Sequence, residues 1–286
     1  MTLPRLALLG LLALAACYRV PGRPIDLPGE ASTDALPVEH LRVLVWNIKK
    51  TKRRAFPLEW FDYVGDRHLV LVQEVFVQEA PSPMRMIEAV QWRGDMQWHV
   101  GESLDYRLRE GEPGTGVAIG SVAPSIGEPR VFLTRAREPI FRTPKAALAA
   151  RYRLEGRSDT LLVISFHGIN FRGTRQLEKQ LASLRSTIDQ HRGPVILGGD
   201  FNTHNRSRMK ALEHFRKQTG MEALWPTCWV RGRRQCTNPY FKDRKSFLGW
   251  PLDHVLVRGL ASQGFHTVPD AKGSDHIPLM VELRVE

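Results

Sequence analysis

Val195-Ile196-Leu197-Gly198-Gly199-Asp200-Phe201-Asn202 decides the reading of this chain: an apolar run stops on two glycines and delivers an acid and an amide. Short runs rich in Val, Ile and Leu are the pattern of strands buried on at least one face. Others in this chain also carry polar residues at one end. VLVW (43–46) is followed by Asn47, LVLV (69–72) by Gln73-Glu74, and LLVISF (161–166) by His167. In the opposite sense, Asp253-His254 precedes VLV (255–257), and Asp275-His276 precedes IPLMV (277–281). If the last two strands run antiparallel to the first four, all these clusters meet at one edge of the sheets. A single polar residue at a strand end is where a chain meets water. Six ends carrying Asn, Glu, His and Asp, with little Ser, Thr or Lys, have instead the composition of a hard-cation site with histidines for proton transfer.

Working outward, the apolar runs predict strands over 41–48, 68–73, 115–122, 145–154, 160–167, 194–199, 252–257 and 277–284. Helices are predicted over 174–191, where Leu177, Leu181, Leu184 and Ile188 recur at helical spacing, and over 206–219, where Met209, Leu212 and Phe215 do so. Gly193 and Gly220 stand where those helices should stop. The mixture implies an α/β protein with two packed sheets and helices on their outer faces. With no internal repeat and no second linker, residues 41–286 read as one domain.

The first residues have another character. Met1 to Arg5 carries one positive charge, and Leu6 to Ala16 is apolar and ends in small residues. That is a signal-peptide pattern over 1–16, shorter than the ~18 to 20 residues needed to span a bilayer. Leu14-Ala15-Ala16-Cys17 resembles a bacterial lipobox, which implies that Cys17 is acylated and begins the mature chain. Tyr rather than Asp at position 18 resembles the sorting class of the outer membrane, so the expected location is the periplasmic side of the bacterial cell envelope. Residues 18–40 contain Pro21, Pro24, Pro28 and Pro37 without periodicity and read as a flexible tether. In such an oxidising compartment, Cys228 and Cys236 are expected to form a disulfide.

Trp46-Asn47, Gln73-Glu74, Gly199-Asp200-Phe201-Asn202, Asp253 and Ser274-Asp275-His276 resemble, in order and spacing, the signatures of the endonuclease/exonuclease/phosphatase superfamily, the DNase I-like fold. Details such as RVLVWNIKK, HLVLVQE, REPIFR and GPVILGGDFN are similar to an uncharacterised bacterial, YafD-like branch. The resemblance covers 41–286 and implies a four-layer α/β/β/α sandwich with its site in a cleft at one edge. It implies hydrolysis of a phosphate ester, and members act on DNA, RNA, phosphoinositides or sphingomyelin. Charge then suggests roles. Glu74 is the expected ligand of a divalent cation, with Asn47 as a neutral oxygen ligand or orienter and Asp275 as a second carboxylate. Mg²⁺ suits oxygen ligands and Mn²⁺ would substitute, while no Cys/His spacing favours zinc. By the resemblance, Asp253 supports His276, Asp200 orients or deprotonates the attacking water, and Asn202 holds the phosphate. His167 resembles the histidine that protonates the leaving oxygen or binds the phosphate. The chain departs from the pattern after it, at Gly168-Ile169-Asn170, and no acid supporting His167 is visible in the sequence.

The 286 residues are 42% hydrophobic and 25% charged, which excludes a disordered or fibrous chain. Lys and Arg number 41 against 30 Asp and Glu, a balance of +11, and 31 of the basic residues are Arg. Such a surface favours polyanions. Lys49 and Lys50, Asn170, and Arg231, Arg233 and Arg234 leave the strand ends and are expected to rim the cleft and hold substrate. Nucleic acid is the expected substrate, with a monomer expected. A lipid-directed phosphodiesterase or phosphatase is the alternative, favoured by the anchor and by Trp229, Tyr240, Phe241, Phe247 and Trp250 among the basic residues. The complete motif set argues against a non-catalytic binding module.

Overall fold

The computed structural model describes residues 24–27, 29–49, 59–77, 94–104, 114–139, 143–224, 229–230, 233–234, 250–268 and 271–286. The strands are β1 (Ile25–Leu27), β2 (Leu41–Asn47), β3 (Leu69–Val77), β4 (Gln97–Leu104), β5 (Gly114–Ser121), β6 (Arg130–Leu133), β7 (Ala146–Arg153) and β8 (Thr160–His167). They continue with β9 (Val195–Asp200), β10 (Glu222–Ala223), β11 (Trp229–Val230), β12 (Arg233–Arg234), β13 (Asp253–Arg258), β14 (Leu260–Thr267) and β15 (Leu279–Val285). The helices are α1 (Glu59–Val64), α2 (Thr174–Gln190) and α3 (Arg206–Thr219).

Two mixed sheets carry the fold. One has the order β1-β4-β5-β3-β2-β15-β14 and the other β10-β13-β9-β8-β7-β6, while β11 and β12 form a separate pair. Their inner faces meet: Val43, Val45 and Leu71 share a buried cluster with Leu148, Val163, Ile196 and Val255. The contact is close enough that a Cβ added at Gly198 would lie 2.8 Å from Val45 Cγ2. On the outer face of the six-stranded sheet, Leu162, Ile164 and Leu197 pack on Leu177, Leu181, Leu184 and Ile188 of α2 and on Leu212 and Phe215 of α3. Trp46 follows Val45 on β2 and so faces the other way, where it stacks on Trp60 of α1 with centroids 5.9 Å apart. The layers are therefore α/β/β/α, as the resemblance implied.

Every expected strand and both expected helices are present. The sequence pattern missed α1, β1, β4, β6, β14 and the two-residue strands β10, β11 and β12. β4 (QWHVGESL) and β14 (LASQGFHT) carry polar residues and glycine because partner strands, not an apolar run, hold them in place.

The tether reading of 18–40 is corrected for its second half. β1 pairs antiparallel with β4, placing Ile25 opposite Val100 and Leu27 opposite Trp98. His99 Nδ1 lies 2.5 Å from Asp26 Oδ1. Leu36 is fully buried and joined to β7 and its end by two backbone bonds of 2.9 Å, Leu36 N to Arg153 O and Glu155 N to Leu36 O. The globular domain therefore already includes residue 25. Pro24 and Pro28 flank β1, which is an edge strand, and edges tolerate a missing N–H. The expected signal segment 1–16, Cys17, Cys228 and Cys236 lie outside the described residues. Among the described residues no helix is long and apolar enough to cross a membrane.

Candidate active site

β2 and β3 are parallel, as are β8 and β9, while β15 runs antiparallel to β2 and β13 to β9. The C-terminal ends of the first four thus meet the N-terminal ends of the last two, with Asp253 directly opposite Asp200. A buried polar link holds the sheets in register beneath this edge: Gln73 Nε2 donates to Ser165 Oγ (3.0 Å), which donates to Val72 O (3.2 Å).

Backbone irregularities then aim the side chains. β3 slips register against β5 between Gln73 and Val75, leaving Glu74 as the extra residue of a bulge with φ 57°. Its carboxylate faces the cleft, where Oε1 lies 3.8 Å from His167 Nε2. Lys49 (φ 49°) and Asn202 (φ 52°) also adopt the left-handed region. Each such non-glycine residue costs on the order of 1 to 3 kcal/mol, which the surrounding packing must offset. Gly199 (φ 151°) lets β9 press against β8, because a Cβ there would stand 1.9 Å from Phe166 O.

What results is a row of alternating carboxylates and imidazoles. Glu74 faces His167, whose Nε2 lies 3.6 Å from Asp200 Oδ2; His276 Nε2 lies 3.8 Å from the same oxygen. His276 Nδ1 closes the row on Asp253, at 2.9 Å from Oδ1 and 3.0 Å from Oδ2. Asp200 accepts from Asn47 Nδ2 (3.1 Å), Asn202 N (2.8 Å) and Asn202 Nδ2 (3.2 Å). Burial pushes the Asp200 carboxyl up to about 6, with Asp253 adding to the rise and His276 opposing it. Burial likewise resists charging His276, but the Asp253 and Asp200 carboxylates outweigh it and raise the imidazole to about 10. At neutral pH the pair is therefore an ionised carboxylate beside an imidazolium.

The profile of the Endonuclease/Exonuclease/phosphatase family matches residues 44–276. The chain belongs to that family. The activities in the family's name all break phosphate esters, so membership sets the class of chemistry: hydrolysis of a phosphate ester. A UPF0294 protein of Klebsiella pneumoniae is 32% identical over 247 residues, covering 85% of this chain and 82% of its own length. A UPF0294 protein of Vibrio parahaemolyticus is 31% identical over 245 residues, covering 84% and 76%. These relatives place the chain in the YafD-like branch. Among solved structures, an endonuclease/exonuclease/phosphatase from Beutenbergia cavernae superposes with a TM-score of 0.61 at 18% identity, covering 86% of this chain and 72% of that one. The human nocturnin catalytic domain with bound sulfate does so at 0.58 and 14% identity, covering 92% and 98%. Both share the fold.

Within this family frame, the expected residues are brought together unequally. Asn47, Glu74, His167, Asp200, Asn202, Asp253 and His276 converge. Asp275 stands at the rim, 37% exposed in its side chain, and pairs with Lys49 rather than turning toward Glu74. Asn47 is engaged as an orienter: besides its bond to Asp200, its Oδ1 accepts from Lys49 N (2.9 Å). Asn202 spends its amide hydrogens on Asp200 and on Gly168 O (2.9 Å), so it positions Asp200 rather than reaching toward a phosphate. Asn170 keeps its amide oxygen on its neighbour Phe171 N (2.8 Å). Lys50 and Arg231 lie outside the described residues, and of Arg233 and Arg234 only the backbone is described. His254 is structural, buried with Nε2 2.7 Å from Thr203 Oγ1 and edge-on to Phe201.

One metal-binding geometry differs from expectation. Asp200, Asp253 and His276 each place a ligand-type atom within 4.8 Å of the others. Asp253, however, gives both oxygens to His276 Nδ1, an arrangement that fixes an imidazole. Glu74 could serve a hard cation: it lies 3.8 Å from His167 Nε2, beyond hydrogen-bond reach, and its side chain is 23% exposed.

Beside His167 the structure places Glu74 and Asp200 of neighbouring strands, at 3.8 and 3.6 Å from Nε2, close enough for their charge to be felt and beyond hydrogen-bond distance. Sequence reading also missed what grips the His167 loop. Gln180 of α2 donates to His167 O (2.8 Å) and accepts from Ile169 N (2.8 Å). Arg208 of α3, fully buried, donates to Asn202 O (2.7 Å), Arg172 O (3.1 Å) and Ile169 O. Ser274 Oγ donates to Asn47 O (2.6 Å) and accepts from His276 N (3.1 Å). A signal existed for two of them: Gln180 and Arg208 lie on the apolar stripes of their helices, where a polar side chain must find a partner.

Proposed function

We propose that this chain is a divalent-metal-dependent phosphodiesterase that cleaves nucleic acid, held at the bacterial envelope by an acylated Cys17. The observation that carries the reading is the row Glu74–His167–Asp200–His276–Asp253, an alternation of groups that accept and donate protons around one point. Glu74, with Asn47 beside it, would hold the cation; Mg²⁺, or Mn²⁺ in its place, supplies neutralisation of charge developing on the phosphate oxygens. Asp200, raised toward neutrality by burial, orients and deprotonates the attacking water. His276, kept charged by Asp253, donates to an anionic phosphate oxygen. His167 protonates the leaving oxygen. The +11 balance and Lys49 at the rim support a polyanionic substrate.

The test uses the full chain in detergent. Hydrolysis of bis(p-nitrophenyl) phosphate should appear with Mg²⁺ and vanish with excess chelator. A panel of plasmid, single-stranded DNA, RNA and phospholipid vesicles should then show turnover of nucleic acid. Full activity in chelator would overturn the metal mechanism, and turnover of vesicles alone would move the lipid-directed reading ahead.

A further inference from the structure

Along the inner faces of the two sheets, β3 and β8 present apolar residues until the last position before the cleft. Leu69 and Leu71 of β3 lie in one buried cluster with Leu161 and Val163 of β8. The next inward positions on the two strands are Gln73 and Ser165, both fully buried. Gln73 Nε2 donates to Ser165 Oγ (3.0 Å), and that hydroxyl donates to Val72 O (3.2 Å). One serine therefore holds both the side chain of Gln73 and the peptide that precedes it. The Gln73 carbonyl is engaged as well, accepting from Ile48 N (3.1 Å) just beyond β2.

Such a pair is a costly way to fill a core. Gln73 Oε1 is buried and has no hydrogen-bond partner among the described residues, and a methionine of the same length would leave no polar atom unsatisfied. Apolar contact is non-directional, however, whereas a hydrogen bond fixes both a distance and an angle. Direction matters one step further along. Ser165 stands two residues before His167 on the same face of β8, and Gln73 stands directly before Glu74. Strand alternation alone would send Glu74 away from the opposite sheet. The bulge between Gln73 and Val75, with φ 57° at Glu74, brings it back, and its Oε1 comes to 3.8 Å from His167 Nε2. The Gln73–Ser165 bond is thus the rung that joins the two sheets beneath this gap.

We propose that Gln73 and Ser165 are positioning residues for the cation site: their bond holds the Glu74 bulge in place and so fixes the gap between Glu74 and His167. The consequence for a cation rests on the reading of Glu74 as its ligand, while the control of the gap does not.

The test uses full-length protein in detergent. Gln73→Met removes the donor together with the unsatisfied acceptor, so its melting temperature should match or exceed that of the parent. Mn²⁺ followed by electron paramagnetic resonance should bind to the parent, fail to bind to Glu74→Gln, and bind about tenfold more weakly to Gln73→Met, the scale on which groups that orient a ligand act. Ser165→Ala removes a single oxygen and should weaken Mn²⁺ binding to a similar degree, which keeps the test decisive should Gln73→Met not fold. A crystal structure of either variant without metal should show the 3.8 Å separation of Glu74 and His167 lost. Parent-like Mn²⁺ affinity in a folded variant, or an unchanged separation, overturns the proposal. A melting temperature of Gln73→Met that falls along with its affinity assigns the pair to folding alone and overturns it too. If the parent binds no Mn²⁺, or Glu74→Gln binds it equally well, the cation reading falls and the separation in the metal-free variant alone decides whether the pair sets the gap.

Discussion

The two sheets end at the same cleft but deliver their acids into different surroundings. From the six-stranded sheet come His167, Asp200 and Asp253, whose side chains are 6%, 3% and 7% exposed. From the seven-stranded sheet and its loops come Glu74, at 23%, and Asp275, at 37%. In the drier half charges lack water, so the Asp200 carboxyl is pushed up and its partners must be exact in position. Wetter acids keep contact with solvent, as a ligand must if a hydrated cation and a phosphate are to come and go. His276 is fed from the seven-stranded side yet binds Asp253 of the other sheet, and so couples the halves. Under the proposed function the contrast becomes a division of labour: proton transfer on the dry side, cation on the wet side.

That division can be broken at its strongest point first. Asp200→Asn should lower kcat roughly 10³-fold with little change in KM, since a positioned base contributes about 10² to 10⁴. In chelator-treated protein, the Asp200 carboxyl carbon should titrate near pH 6, with the ionised form dominant above it. An ordinary carboxylate midpoint, about 4, would mean the dry side is not dry.

Glu74→Gln should cost on the order of 10² in kcat/KM and raise the Mg²⁺ concentration needed for half-maximal rate. Added metal should restore part of the rate to this variant and none to Asp200→Asn. Equal rescue of both, or of neither, erases the distinction between the sides.

Arg208→Met should slow kcat about tenfold at nearly constant KM, because the carbonyls of Asn202, Ile169 and Arg172 lose their common donor. Unsatisfied carbonyls cost about 1 to 3 kcal/mol each, partly offset by removing a buried charge, so thermal stability should also fall. Arg208→Lys should recover stability before rate. If rate and stability recover together, Arg208 only holds the fold.

The smallest effect is expected at the rim. Lys49 and Asp275 form a pair with both side chains over a third exposed, and such pairs contribute about 0 to 1 kcal/mol. Lys49→Met should change kcat/KM by less than about threefold, less still at high salt. A hundredfold loss would promote this pair into the chemistry.

Sequence alone determined the features whose causes are local. Strand and helix periods, the polar residues at six strand ends and the GDFN and SDH motifs are written in consecutive residues. Antiparallel neighbours would bring those six ends to one edge, and the register that sets Asp253 opposite Asp200 agrees with it. Only tertiary structure decided what depends on partners far along the chain. Residues 25–27, between prolines, read as tether until β4 supplies their hydrogen bonds. Glu74 reads as the polar end of a strand over 68–73, whereas β3 runs on to Val77 and a bulge against β5 is what turns Glu74 into the cleft. His167 comes to stand between acids of β3 and β9, and Asn202 loses its free amide to Gly168 and Asp200. Arg208 reads as one more basic residue on a helix, and becomes the common donor to three carbonyls because the loops after β8 and β9 close on it, at distances that no linear spacing records.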